Sequence, residues 1–276
     1  MNQLSTAKRI QVSAALVEGN SIRGTRRMVG VTKDTVLDLL AKIGTACAHF
    51  QDICLTELPC QHIQCDEIWS FCYAKEKNLP EERKGVFGFG DVWTWTAICA
   101  DCKLVPSWLV GLRDADSASV FMHDLKRRLK HRVQLTIDGH RAYLEAVESS
   151  FGADIDYAML IKLYGAPRDE EVRYSPVECI GTQTHRVQGN PDAAFISTSF
   201  AERQNLTMRM AMRRFTRLTN AFSKKVENLQ HAVSLHFMHY NFARIHTTLR
   251  VTPAMEAGIS RHVWTLEEIV GLLEEC

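Results

Sequence analysis

The sequence predicts an α/β chain in two parts: an all-α helix-turn-helix unit, then a mixed β-sheet flanked by helices. Helical apolar spacing broken by Gly turns fills the first fifty residues. From about residue 61 the pattern changes to strand-like runs, and these alternate with helical ones in the order strand, hairpin, helix, strand, helix, strand.

In the first part, Ile10, Val12, Ala15, Leu16 and Val17 mark one helix that stops at Gly19-Asn20. Ser21 is placed to cap a short second helix through Met28, and Val29-Gly30-Val31 makes a turn. Thr32 then caps a third helix through Val36, Leu39, Leu40 and Ile43 to a stop at Gly44. In such a module the N-terminal end of the last helix faces base edges, so Thr32, Lys33 and Thr35 become candidate DNA contacts. A plain three-helix packing bundle has the same pattern.

In the second part, residues 61–69 read as a strand, and Asp91 to Gly111 as a hairpin turning at Ala100-Asp101-Cys102-Lys103. A helix follows over Ser117 to His131, a strand over Arg132 to Asp138, a helix over Arg141 to Phe151 and a last strand over Tyr157 to Lys162. A loop rich in Gly, Pro and polar residues is expected over 165–199, long enough to suggest function. Two helices follow, about 200–217 and 222–246, with a short one starting near Thr265. The implied divisions are a helix-turn-helix domain (1–50), a catalytic domain (60–246) and a helical tail (247–276).

Composition narrows the function classes. Of the 276 residues 46% are hydrophobic and 24% charged, a globular rather than disordered balance. There is no basic-then-apolar leader and no apolar run of the roughly 18 residues a membrane helix needs, so a cytoplasmic protein without a membrane partner is expected. The 9 cysteines are scattered and odd in number, which favours reduced thiols. Net charge is only +1, yet Arg203, Arg209, Arg213, Arg214, Arg217, Lys224 and Lys225 run without an intervening carboxylate. That basic track fits a polyanion.

Three carboxylates stand out. Asp66 lies in the first strand, Asp138 at the end of a later one, and Glu202 in the first turn of the basic helix. Adjacent strands and a helix packed on them can bring such groups together as a hard-oxygen site for Mg²⁺ or Mn²⁺. Two such ions, about 4 Å apart, stabilise the attacking and leaving oxygens of a phosphodiester. At 100° per residue, Arg209 and Arg213 fall within about 20° of the Glu202 face. Asp66 has a rival in Glu67, since strand alternation lets only one of the pair face a metal. Cys99-Ala-Asp-Cys102 lacks a second pair at zinc spacing and reads as structural, as do His231, His236, His239 and His246. Trp69, Trp93, Trp95 and Trp108 read as core.

Asp66-Glu67-Ile68-Trp69, Asp138-Gly139-His140-Arg141-Ala142-Tyr143 and Glu202-Arg203-Gln204-Asn205-Leu206-Thr207-Met208-Arg209, with Phe222-Ser223-Lys224-Lys225-Val226-Glu227 beyond, resemble the insertion-sequence-one (IS-one) family of transposases over about residues 61–246. The resemblance implies an RNase H-like fold, a DDE triad of Asp66, Asp138 and Glu202 that binds metal, and DNA contact by Arg209. It, and not alternation, selects Asp66 over Glu67. Arg203, Arg213 and Lys224 join the expected DNA contacts through the basic track. The family's better-known members carry an N-terminal Cys-rich zinc ribbon; here the first cysteine is Cys47, so recognition of terminal inverted repeats falls to the helix-turn-helix. Holding two element ends and target DNA implies a homodimer or larger synaptic assembly. The alternatives are a regulator with a catalytically inactive transposase-like domain, and a structure-specific nuclease.

Overall fold

The first three helices each begin on a hydroxyl residue whose side chain accepts a hydrogen bond from the first turn. In the computed structural model, which describes residues 4–165, 179–216 and 220–274, Ser5 caps α1 (Thr6–Val17) and Ser21 caps α2 (Ile22–Val29). Thr32 caps α3 (Lys33–Cys54), accepting from the Thr35 N–H at 3.1 Å. Gly30, at φ 71°, is the left-handed residue that ends α2.

The third helix does not stop at Gly44, as its glycine suggested, but continues to Cys54. Gly44 serves a close approach instead. A Cβ there would lie 2.5 Å from His231 Cβ, on α7 (Val226–Met238), and Ser234 Oγ of the same helix donates to the Gly44 carbonyl at 2.7 Å. The far end of α3 is tied to α4 (Ala115–Arg128) by buried Arg128, whose guanidinium meets Asp52 at 2.7 Å and Asp124 at 2.8 Å. The long helix is therefore clamped along its second half.

Six strands form one mixed sheet in the order β3-β2-β1-β4-β5-β6. They are β1 (His62–Cys72), β2 (Gly90–Cys99), β3 (Ser107–Gly111), β4 (Gln134–Ile137), β5 (Asp156–Tyr164) and β6 (Cys179–Gln188). β1 runs antiparallel to β2 and parallel to β4, and β4 runs parallel to β5. Alternation gives each face of β1 and β2 its own core. Ile63, Cys65, Trp95 and Ala97 pack with α4 and with α5 (Ala142–Phe151), while Ile68, Cys72, Val92 and Ile98 pack with α7 and with α6 (Ser199–Ala211). Of the four tryptophans on strand patterns, Trp95 is fully buried and the others are half-buried.

The region expected as one long loop contains β6, an antiparallel partner for β5 from Tyr157 to Tyr164. Its residues are mostly exposed on both faces, so it lacks the buried alternation that marks a strand in sequence. Residues 166–178 of that expected loop, and Arg217 of the basic track, lie outside the described residues.

Both helices expected after it are shorter than their patterns. α6 ends at Ala211, Met212 is extended, and a 3₁₀ turn over Arg213–Phe215 drives Phe215 into the second core. α7 gives way at His239 to a π-helical turn through Ala243. There Asn241 bonds both the N–H and the C=O of Val105 at 3.0 Å, and the Tyr240 hydroxyl donates to the Lys103 carbonyl. Buried His236, pushed down to about 3 by its burial, is a neutral packing group. The chain closes with α8 (Pro253–Glu256) and with α9 (Leu266–Gly271), capped by Thr265. Among the described residues no helix is long and apolar enough to cross a membrane.

Gly44→Ala places a methyl against His231 backbone atoms that no rotamer change can move. It is expected to destabilise the fold by about 1–3 kcal/mol in urea unfolding. Gly271→Ala, with open space around the new methyl, is expected to stay within about 0.5 kcal/mol.

Candidate active site

Parallel pairing of β1 with β4 sets the first two carboxylates side by side. Cys65 lies opposite Ile137, so the next residues, Asp66 and Asp138, emerge as neighbours. Asp138 follows the end of β4 and accepts from the His140 N–H at 2.9 Å, a turn that fixes its carboxylate.

The third carboxylate arrives through Gln64. It shares the Asp66 face of β1, and its side-chain oxygen accepts from Phe200 N–H at 2.8 Å and Ala201 N–H at 3.3 Å. Those are two of the unpaired donors at the start of α6, whose own N-cap residue, Thr198, gives no side-chain cap. Docked in this way, α6 brings Asn205 Nδ2 to 2.8 Å from Asp66 Oδ2 and turns Glu202 towards the same cavity. Glu202 is held there by Thr198 Oγ1 at 2.6 Å and by Lys162 Nζ, from β5, at 2.5 Å.

Asp66, Asp138 and Glu202 thus line one open cavity of about 760 Å³, with Arg113, His140 and Lys162. They are not equally close. Oxygens of Asp66, Glu67 and Asp138 lie within 4.8 Å of one another, a group that leaves out Glu202. Alternation had left room for only one of Asp66 and Glu67. The backbone obeys it, with Glu67 facing α5, yet the longer glutamate side chain still keeps an oxygen beside Asp138.

Crowding and burial shift the protonation of Asp66 and Glu67. Burial raises the Asp66 carboxyl to about 6; Asp138 and Glu202 add like-charge repulsion, against hydrogen bonds from the Glu67 N–H and Asn205. Burial likewise raises Glu67 to about 7, opposed by the nearby Tyr143 hydroxyl and by Arg113, whose Nε is 3.2 Å from Glu67 Oε2. The Tyr143 hydroxyl falls outside good hydrogen-bond geometry. It and Glu67 Oε1, His140 Nε2 and Asn205 Oδ1 are buried polar atoms with no hydrogen-bond partner among the described residues. A hard, oxygen-only, electron-rich donor set of this kind fits a divalent cation such as Mg²⁺ or Mn²⁺.

The expected DNA contacts fall in two places. Thr32, Lys33 and Thr35 are at the start of α3; the two threonine hydroxyls lie 2.8 Å apart, and that of Thr32 also caps the helix. Lys33 lines a groove of about 680 Å³ together with Arg213, Lys224, Arg23 and Arg214. Arg213 was expected on the Glu202 face, and the early end of α6 moves it to this groove instead. Arg203 and Arg209 remain on α6, exposed and half-buried respectively.

Gln64, Lys162 and Arg113 were not singled out in the sequence, and Asn205 only as part of the motif that begins at Glu202. Gln64 is two residues from Asp66 on a strand and Asn205 three from Glu202 on a helix, so both were readable as same-face neighbours. Lys162 and Arg113 carried no local signal.

No protein-family model matches this chain, and no curated protein matches it. Solved structures similar to it are complexes of a transposase. The Mos1 transposase paired-end complex with left transposon end is 12% identical, at TM-score 0.22, over 54% of this chain and 58% of that one. The Mos1 mariner paired-end complex with Mn is also 12% identical, at TM-score 0.21, over 54% and 57%. The Mos1 strand transfer complex is 11% identical, at TM-score 0.25, over 86% and 76%. The chain spans less than two thirds of the length of the first two. With likeness this slight, the carboxylate geometry alone carries the functional reading.

Because the folded-state Asp66 value of about 6 lies above its ordinary 3.8, folding favours the protonated acid. That contribution is fully present below about pH 4 and lost as pH rises through about 6. With divalent ions chelated, Asp66→Asn is therefore expected to be more stable than the parent at pH 8, by on the order of 2–3 kcal/mol, and equal to it near pH 4. Urea unfolding across that range checks it; a gain independent of pH would contradict the assignment of the strain to Asp66.

Proposed function

We propose that this chain is a DDE transposase of the IS-one family, with an RNase H-like catalytic domain and an N-terminal helix-turn-helix that binds terminal inverted repeats. The observation that carries the reading is the meeting of Asp66 and Asp138 through the β1–β4 register, with Glu202 across the same cavity on a helix capped from β1. In this reading Asp66, Asp138 and Glu202 hold Mg²⁺ or Mn²⁺, two per site. When bound, these ions activate the attacking oxygen and stabilise the leaving one during hydrolysis and strand transfer.

The chain's own residues do the rest. Asn205 and the Glu67 N–H orient the Asp66 carboxylate by donating to its two oxygens. Arg113, ion-paired to Glu67 and stacked 4.8 Å over Trp93, keeps that second carboxylate from adding its full charge to the cluster. Lys162 neutralises Glu202 and is placed to meet a phosphate oxygen in the cavity. Thr32 and Thr35 at the start of α3 face base edges, while Lys33, Arg213 and Lys224 in the shared groove and Arg203 and Arg209 on α6 follow the phosphate backbone. A homodimer or larger assembly holds the two ends.

Incubating the full chain with Mg²⁺ and duplexes carrying the element's terminal repeats is expected to give nicked and joined products. Asp66→Asn, Asp138→Asn and Glu202→Gln are each expected to lower strand transfer by about 10²–10³-fold or more while end binding persists. Joined products undiminished in these variants would refute the triad. Cleavage without end preference or joining would favour a structure-specific nuclease, and end binding without cleavage a regulator.

Alanine at Lys33, Arg213 or Lys224 is expected to weaken binding to any duplex. Each is expected to reduce the slope of log affinity against log salt by about 1. Unchanged slopes in all three would remove the groove from the DNA path.

A further inference from the structure

Cys60, just before β1, meets Cys99 and Cys102, at the turn after β2, with all three sulfurs within 4.8 Å of one another and all three residues buried. The sulfurs around one tetrahedral zinc ion at a Zn–S distance of 2.3 Å are spaced by about 3.8 Å, so this trio is close to ligand spacing. Buried thiols also occur as simple apolar packing groups. Two further features set this cluster apart.

The turn that carries Cys99 and Cys102 is tied by its own backbone: Cys99 N–H bonds Leu104 O at 2.8 Å, Lys103 N–H bonds Cys99 O at 2.9 Å, and Lys103 takes a left-handed φ of 61°. The Lys103 ammonium, beside Cys99 and Cys102, supplies positive charge.

We infer that Cys60, Cys99 and Cys102 form a structural site for a thiophilic tetrahedral cation of the zinc class, with solvent in the fourth position. Three thiolates, a divalent cation and Lys103 sum to zero charge, which burial requires. Binding releases the thiol protons to solvent. The cation would fasten the start of β1 to the end of β2, the strand pair that carries Asp66, at a point separate from the carboxylate cavity. It takes no part in the proposed DNA chemistry, and its test does not depend on that chemistry.

Full-length protein purified without chelators is expected to carry one zinc per chain by elemental analysis. After exchange, Co²⁺ is expected to give a thiolate-to-cobalt charge-transfer band and intense tetrahedral d–d bands. Both signals should persist in an Asp66→Asn/Asp138→Asn double variant and in Cys179→Ser, and be lost in Cys99→Ser and in Cys60→Ser. Zinc-loaded parent protein should melt several degrees above the stripped form. Wild-type chain that holds no zinc and gives only the weak spectrum of oxygen-ligated Co²⁺ overturns the inference, whether or not the cysteine variants fold. Thiolate bands that survive Cys99→Ser overturn it equally.

Discussion

The parallel register of β1 against β4 is the constraint on which the site depends. A one-residue slip would turn Asp66 to the other face of the sheet and away from both Asp138 and α6. The register is held on the other side by ten paired positions with β2, from Ile63 opposite Cys99 to Cys72 opposite Gly90. It is held in depth by the two cores, which demand Cys65 and Trp95 on one face and Ile68 and Val92 on the other. Gln64 transmits that order to α6, because the same strand face that aims Asp66 also satisfies the donors at the helix start.

The price of this arrangement is electrostatic. Asp66, Glu67 and Asp138 crowd together with Glu202 close by, and burial adds desolvation to their mutual repulsion. Arg113 and Lys162 each relieve one member, Glu67 and Glu202, and leave the Asp66–Asp138 pair uncompensated. Carboxylates held in this state favour a cation over a proton as pH rises, so fold stability and cation affinity are linked through the same groups.

The basic track shows how packing overrides local pattern. A continuous helix to residue 217 would have kept Arg213 above Glu202, but burial of Phe215 in the second core requires the chain to leave the helix at Met212. Arg213 then meets Lys33 and Lys224 in the groove between the N-terminal helices and the α6–α7 connection. Gly44 is a parallel case: a residue that reads as a helix stop is retained inside α3 because α7 packs too closely for any side chain.

Sequence by itself determined the element order as far as β5, the hydroxyl caps of α2 and α3, the strand position of Asp66, the strand-end position of Asp138, and the helical position of Glu202. These follow from local chemistry: a cap, a two-residue alternation or a 3.6-residue repeat is written within a few neighbours. Tertiary structure alone decided that Glu67 stays beside Asp138, that Lys162 holds Glu202, that β6 completes the sheet, and that Cys60 joins a Cys-x-x-Cys turn 39 residues further on. Each of these depends on strand order and on which helix covers which face, and those are set by burial summed over the whole chain. No spacing within one segment encodes them.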